Sequence, residues 1–155
     1  MEVYLTNAEA TESLGRLLGS LAQDGDVFCF SGDLGAGKTL MSRGISLALG
    51  VADEEITSPT FAIMNVYSGK ELEVRHFDLY RLNRPEELED IGFSEYAGGD
   101  GVTLIEWAEL FVDELPEEYL QISLFVEGTG RRAVLTAYGQ RYENLIQEVE
   151  AKCSL

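Results

Sequence analysis

Gly32-Asp33-Leu34-Gly35-Ala36-Gly37-Lys38-Thr39 satisfies the pattern G-x-x-x-x-G-K-[ST]. Glycines at these positions let a backbone wrap closely around an anion, so that several N–H groups and a helix N-terminus converge on phosphates; side chains there would block the approach. In this chemistry Lys38 reaches the β- and γ-phosphates and the Thr39 hydroxyl ligates Mg²⁺. At average residue frequencies the octet arises by chance in a chain of this length on the order of once in a hundred, before its context is counted. That context separates it from an ordinary glycine-rich turn: Val27 to Phe30 is a short apolar run ahead of it, and Met41, Ile45, Ala48 and Leu49 form a helical stripe behind it, ended by Gly50.

Phosphoryl transfer also needs a carboxylate at the end of a neighbouring strand, to hold the Mg²⁺ shell or to position water. Two positions qualify. Glu106 ends Val102-Thr103-Leu104-Ile105, and Asp78 ends Val74-Arg75-His76-Phe77. An acid after an apolar strand is common, so each gains its meaning from the phosphate loop. His76 could act as a base, but a lone histidine on a strand is more often structural, and Trp107 reads as a packing residue beside Glu106. No Asn-Lys-x-Asp sequence that would read guanine occurs, which favours ATP over GTP.

The remaining elements must hold these groups in place. Val3 to Leu5 reads as a short strand, Thr6 and Glu9 have capping-box spacing, and Leu14, Leu17, Leu18 and Leu21 give the following helix one apolar face. The runs Phe61 to Tyr67 and Leu72 to Phe77 flank Ser68-Gly69 and predict an antiparallel hairpin. Pro85 to Ile91 predicts a helix with acids in its first turn, where the dipole favours them. Leu120, Ile122, Leu124 and Val126 alternate before Gly128-Thr129-Gly130 and Ala133 to Ala137, a second hairpin. Tyr142, Leu145, Ile146 and Val149 close the chain with a helical stripe. The expected fold is an α/β P-loop NTPase domain spanning residues 1–155, with a mixed, mostly parallel central sheet and helices on both faces.

The 155 residues suffice for one core and leave little room for a second. A formal net charge of −17 repels a phosphate backbone, so direct strong nucleic-acid binding is not expected. Most of that charge reads as a solvated surface, with Glu86, Glu87, Glu89 and Asp90 as the candidate docking exception. Cys29 and Cys153 form neither a disulfide framework nor a metal spacing, and no apolar run approaches membrane-spanning length, so a cytoplasmic setting is expected.

Reading outward from the phosphate loop, Thr57-Ser58-Pro59-Thr60-Phe61, His76-Phe77-Asp78-Leu79-Tyr80-Arg81, Pro85-Glu86-Glu87-Leu88 and Ile105-Glu106-Trp107 follow in order. With these motifs the chain resembles, throughout its length, the TsaE family, also called YjeE: small bacterial ATPases required to make threonylcarbamoyladenosine beside the anticodon of tRNAs, working with TsaB and TsaD. The resemblance implies ATP and Mg²⁺ as cofactors, Mg²⁺ shared by Thr39 and Glu106, and a switch-like Ser58-Pro59-Thr60 with Thr60 near the γ-phosphate. It implies Asp78 as a catalytic or water-positioning acid, and places Thr11 and Arg131 close to the nucleotide base. Under it, the acidic chain need not grip tRNA, because it would act on a TsaD-containing complex.

Two other readings of the same loop are a small-molecule kinase, for which no arginine-rich lid or acceptor pocket is evident, and a non-catalytic module in which ATP binding alone orders a docking surface. Arg81 and Arg84 could reach a partner or the phosphates.

Overall fold

The computed structural model describes residues 1–56 and 63–153. Among these residues a seven-stranded sheet has the order β1-β7-β6-β2-β5-β4-β3. The strands are β1 (Glu2–Leu5), β2 (Val27–Ser31), β3 (Met64–Ser68), β4 (Glu73–Asp78), β5 (Val102–Glu106), β6 (Tyr119–Glu127) and β7 (Gly130–Tyr138). β6, β2, β5 and β4 run parallel through the centre; β3 at one margin, and β7 and β1 at the other, pair antiparallel. The expected mixed sheet is present, and so are both expected hairpins, the first from Met64 onward; Phe61 and Ala62, where its first run was expected to begin, lie outside the described residues.

The central strand β2 reads Val-Phe-Cys-Phe because it is covered on both sides, as parallel strands are. Phe28 and Phe30 point to one face, where they meet Leu14 and Leu18 of α1 (Ala8–Leu21), Met41 and Ile45 of α2 (Lys38–Ala48), and Leu145 and Val149 of α5 (Gln140–Cys153). Val27 and Cys29 point to the other, with Phe77, Ile105, Leu88 of α3 (Glu86–Asp90), Phe93 of α4 (Phe93–Tyr96) and Phe111 of a 3-10 segment, Ala108–Glu114. Helices thus cover both faces as expected, but the second cover is assembled from short pieces. Val126, the last member of the alternating run, lies near the hairpin turn and is 57% exposed.

The start of α1 departs from the capping-box expectation. Asn7, not Thr6, is the cap: its backbone is extended (φ −155°, ψ 178°), and its side-chain oxygen accepts the N–H of Ala10 at 2.8 Å. A short amide at that position satisfies a first-turn donor directly, whereas Thr6 stands one residue too early. Further along, α1 and α2 touch backbone to backbone. A Cβ on Gly15 would collide with the carbonyl oxygen of Met41, and one on Gly44 with that of Glu12. No membrane-spanning helix is present among the described residues.

Candidate nucleotide and metal site

The glycine-rich loop leaves β2 at Ser31 and delivers the chain into α2 at Lys38. Gly37 caps that helix in a left-handed conformation (φ 109°, ψ 11°) with no side-chain cap hydrogen bond. Helix geometry gives the first-turn N–H groups of Lys38, Thr39 and Leu40 no intrahelical acceptor, an arrangement suited to receiving an anion. At Gly32 (φ 143°) a Cβ would stand 2.5 Å from the Leu124 carbonyl oxygen, so β6 enforces glycine there. Asp33 and Leu34 sit exposed on the crest, while Ala36 is buried and its N–H donates to the Asp33 carbonyl at 3.0 Å.

Lys38 is 5% exposed. Its ammonium donates to the carbonyl of Gly32 and, at 3.4 Å, to that of Asp33, and it lies 3.5 Å from the centroid of the Trp107 ring. Burial lowers its pKa from the usual 10.5, opposed by the charges of Glu109, Glu106, Asp78 and Asp33. Glu109 comes from the 3-10 segment and also accepts the Gly32 N–H at 3.3 Å. Neither Glu109 nor the tryptophan face was evident from sequence; the one available signal was their place just after Glu106. Trp107 is the sole residue other than glycine with positive φ (62°) among the described residues, and the Tyr80 ring packs against it at a tilt of 38°, with centroids 4.8 Å apart.

Strand alternation places Glu106 and Asp78 on the sheet face that α2 covers, and register sets them opposite each other on β5 and β4. The Thr39 hydroxyl donates to Oε1 of Glu106 at 3.1 Å. The other carboxylate oxygen, Oε2, lies 2.5 Å from Nε2 of His76; the histidine and the glutamate are both almost wholly buried. Asp78 Oδ1 accepts the Tyr80 N–H at 3.0 Å. Burial raises the Asp78 pKa above the usual 3.8; Glu106 pushes the same way, and the Tyr80 N–H, His76 and Lys38 push back.

The described residues hold no cluster of three or more His, Cys, Asp or Glu side chains able to retain a metal alone. The hydroxyl and carboxylate of Thr39 and Glu106 are nonetheless a hard oxygen pair at the end of the glycine-rich loop. Mg²⁺ is commonly bound in this way, through one or two protein oxygens with phosphates and water completing its shell. The residues present fit that ion.

On the far side of the loop a cavity of about 270 Å³ is lined by Asn7, Thr11, Gly35, Gly37, Leu40 and Arg131, among others. Thr11 is 2% exposed, and Arg131 donates to the carbonyl of Gly35 at 3.1 Å. The fold therefore brings Thr11 and Arg131 to the glycine loop from opposite ends of the chain. Arg84, just before α3, pairs with Glu87 of that helix at 3.8 Å. Thr60, with Ser58-Pro59, lies outside the described residues.

The sequence profile of the family described as "Threonylcarbamoyl adenosine biosynthesis protein TsaE" matches residues 5–134. The chain belongs to the TsaE family. Relatives named tRNA threonylcarbamoyladenosine biosynthesis protein TsaE include one from Bacillus subtilis (strain 168), 42% identical over 144 residues, covering 92% of this chain and 89% of the relative. Another, from Treponema pallidum (strain Nichols), is 44% identical over 137 residues, covering 88% of this chain and 100% of the relative. The crystal structure of YdiB from Bacillus subtilis superimposes with a TM-score of 0.82 at 35% identity, covering 98% of this chain and 95% of that one. The YdiB structure thus shares the frame that carries the loop, Glu106 and Asp78, and the family expected from the sequence motifs is confirmed.

Proposed function

We propose that this protein is a P-loop ATPase that binds ATP with Mg²⁺ and hydrolyses it in the service of threonylcarbamoyladenosine formation on tRNA, acting in the cytoplasm on a complex containing TsaB and TsaD. The observation that carries the reading is the Thr39–Glu106 hydrogen bond of 3.1 Å, which joins the last residue of the anion loop to a strand-end carboxylate. In this reading the amides of Asp33 to Thr39 cradle the phosphates, and Lys38 places its charge beside the oxygens on which negative charge develops. Bound Mg²⁺ supplies Lewis-acid polarisation of the phosphate oxygens. Thr39 and Glu106 hold that ion, while Thr11 and Arg131 flank the base.

Asp78 receives the proton of the attacking water. Its Oδ1 accepts the Tyr80 N–H at 3.0 Å, which orients the carboxylate and keeps acceptor capacity for the water. The raised pKa makes the carboxylate a better proton acceptor than an ordinary aspartate. Thr60 is assigned to the γ-phosphate through the family motif. The net charge of −17 favours action through a protein partner over direct contact with tRNA.

The deciding measurement is phosphate release from ATP by this protein alone, and with TsaB, TsaD and tRNA. The expected result is slow turnover alone and a clear rise with the full set. Transfer of phosphate to a small acceptor, or no release under any condition, would overturn the reading.

A further inference from the structure

His76 and Glu106 form a buried polar contact beside the Thr39 hydroxyl. His76 is 2% exposed on β4, two residues before Asp78, and its strand neighbours on the same face are apolar or acidic. Its Nε2 meets Oε2 of Glu106 at 2.5 Å, while Oε1 of the same carboxylate takes the Thr39 hydroxyl. An ionised carboxylate only accepts hydrogen bonds, so with Glu106 charged the proton of this contact sits on Nε2 of His76. A carboxylate held at both oxygens has no rotational freedom left about its terminal bond. Without His76, Oε2 of this almost wholly buried carboxylate would lose its partner, and the group would turn to recover one.

We propose that His76 is a positioning residue of the metal site: by donating Nε2–H to Oε2 of Glu106, it fixes Oε1 toward Thr39, where Mg²⁺ binds. This rests on the ATPase reading above. The contact depends on strand register. On β4 and β5, His76 lies opposite Leu104 and Asp78 opposite Glu106, so the histidine reaches diagonally along the sheet to the last residue of the neighbouring strand. Groups that orient a metal ligand in this way commonly set metal affinity by about 10- to 100-fold.

The test uses the full chain and reads metal binding rather than turnover. Mg²⁺ is titrated into protein saturated with ADP, with the emission of Trp107, the sole tryptophan in the sequence, as signal. ADP affinity is measured separately with metal chelated. His76→Phe keeps a ring and removes the donor; His76→Gln keeps a donor near the Nε2 position. The expected result is an apparent Mg²⁺ affinity about 10-fold or more weaker in His76→Phe, substantially restored in His76→Gln, with metal-free ADP affinity unchanged in both.

Wild-type Mg²⁺ affinity in His76→Phe overturns the proposal, as does equal loss of metal-free ADP affinity in both variants, which marks a role in folding alone. Glu106→Gln separates the two levels of inference. If it too leaves Mg²⁺ affinity intact, the metal-site reading fails; if it weakens Mg²⁺ while His76→Phe does not, only the role of His76 fails.

Discussion

The ammonium of Lys38 and the indole of Trp107 are in van der Waals contact, 3.5 Å from nitrogen to ring centroid, beside the glycine-rich loop. Such a contact contributes ~0.5–2 kcal/mol, depending on how far it is removed from water. The lysine therefore has a defined resting place between the Gly32 carbonyl and an aromatic face.

Because the sequence contains a single tryptophan, that resting place can be observed directly. Lys38→Ala should change the emission of Trp107 in nucleotide-free protein and weaken ATP binding by ~10- to 100-fold, as expected for loss of a charged hydrogen bond. Emission spectra and a nucleotide titration check both; an unaltered spectrum would dissociate the ring from the lysine in solution.

Asp78→Asn should abolish turnover while stabilising the fold. Burial raises the Asp78 pKa above 3.8, so the folded state binds more protons than the unfolded state as pH rises past that value. Stability then falls with rising pH, and the cost is fully present above the folded-state pKa. The asparagine variant should melt at a higher temperature than wild type at pH 7, with the gap closing as pH is lowered toward 3.8. Thermal scans across that range are the check.

Thr39 and Glu106 should behave as one unit. Thr39→Ala and Glu106→Gln should each cut Mg²⁺-dependent hydrolysis by ~10²-fold or more, and the double variant should lose little beyond the worse single. Simple multiplication of the two losses in the double variant would mean that the hydroxyl and carboxylate serve separate ends.

Arg131→Ala should weaken ATP binding by ~3- to 10-fold, through loss of its hydrogen bond to Gly35 and of one cavity wall, while leaving kcat of saturated enzyme nearly unchanged. A KM-against-kcat comparison makes this visible. A loss confined to kcat would move Arg131 from base contact to chemistry.

Gly44→Ala should destabilise the protein by ~1–3 kcal/mol, since the added methyl meets the backbone oxygen of Glu12 and no flexible side chain can yield. Denaturant unfolding with the same slope and a lower midpoint would record it.

Local chemistry was readable in the sequence, and chemistry requiring register was not. The loop from Gly32 to Thr39 announces itself because its glycines answer local backbone demands, Glu106 because it ends an apolar run, and Asp78 because it ends a strand-like one. The partnership of His76 with Glu106 is invisible in either segment alone: it exists only once β4 lies beside β5 in one alignment. Glu109 and the face of Trp107 come to the loop through the turn after β5, whose left-handed residue no local rule predicts for tryptophan. Thr6 and Asn7 are both acceptable caps by type, and one residue of offset decided between them. Thr11 and Arg131 were drawn together by family resemblance, since 120 positions separate them and neither has a telling neighbourhood.

The crossing of α1 over α2 sets a fixed gauge for the molecule. Where Gly15 and Gly44 let two main chains meet, no rotamer can lengthen or shorten the gap. Thr11 rides on one helix and Thr39 on the other, so the span between the two ends of the proposed nucleotide site is cut to length by peptide against peptide, like the jaws of a locked caliper.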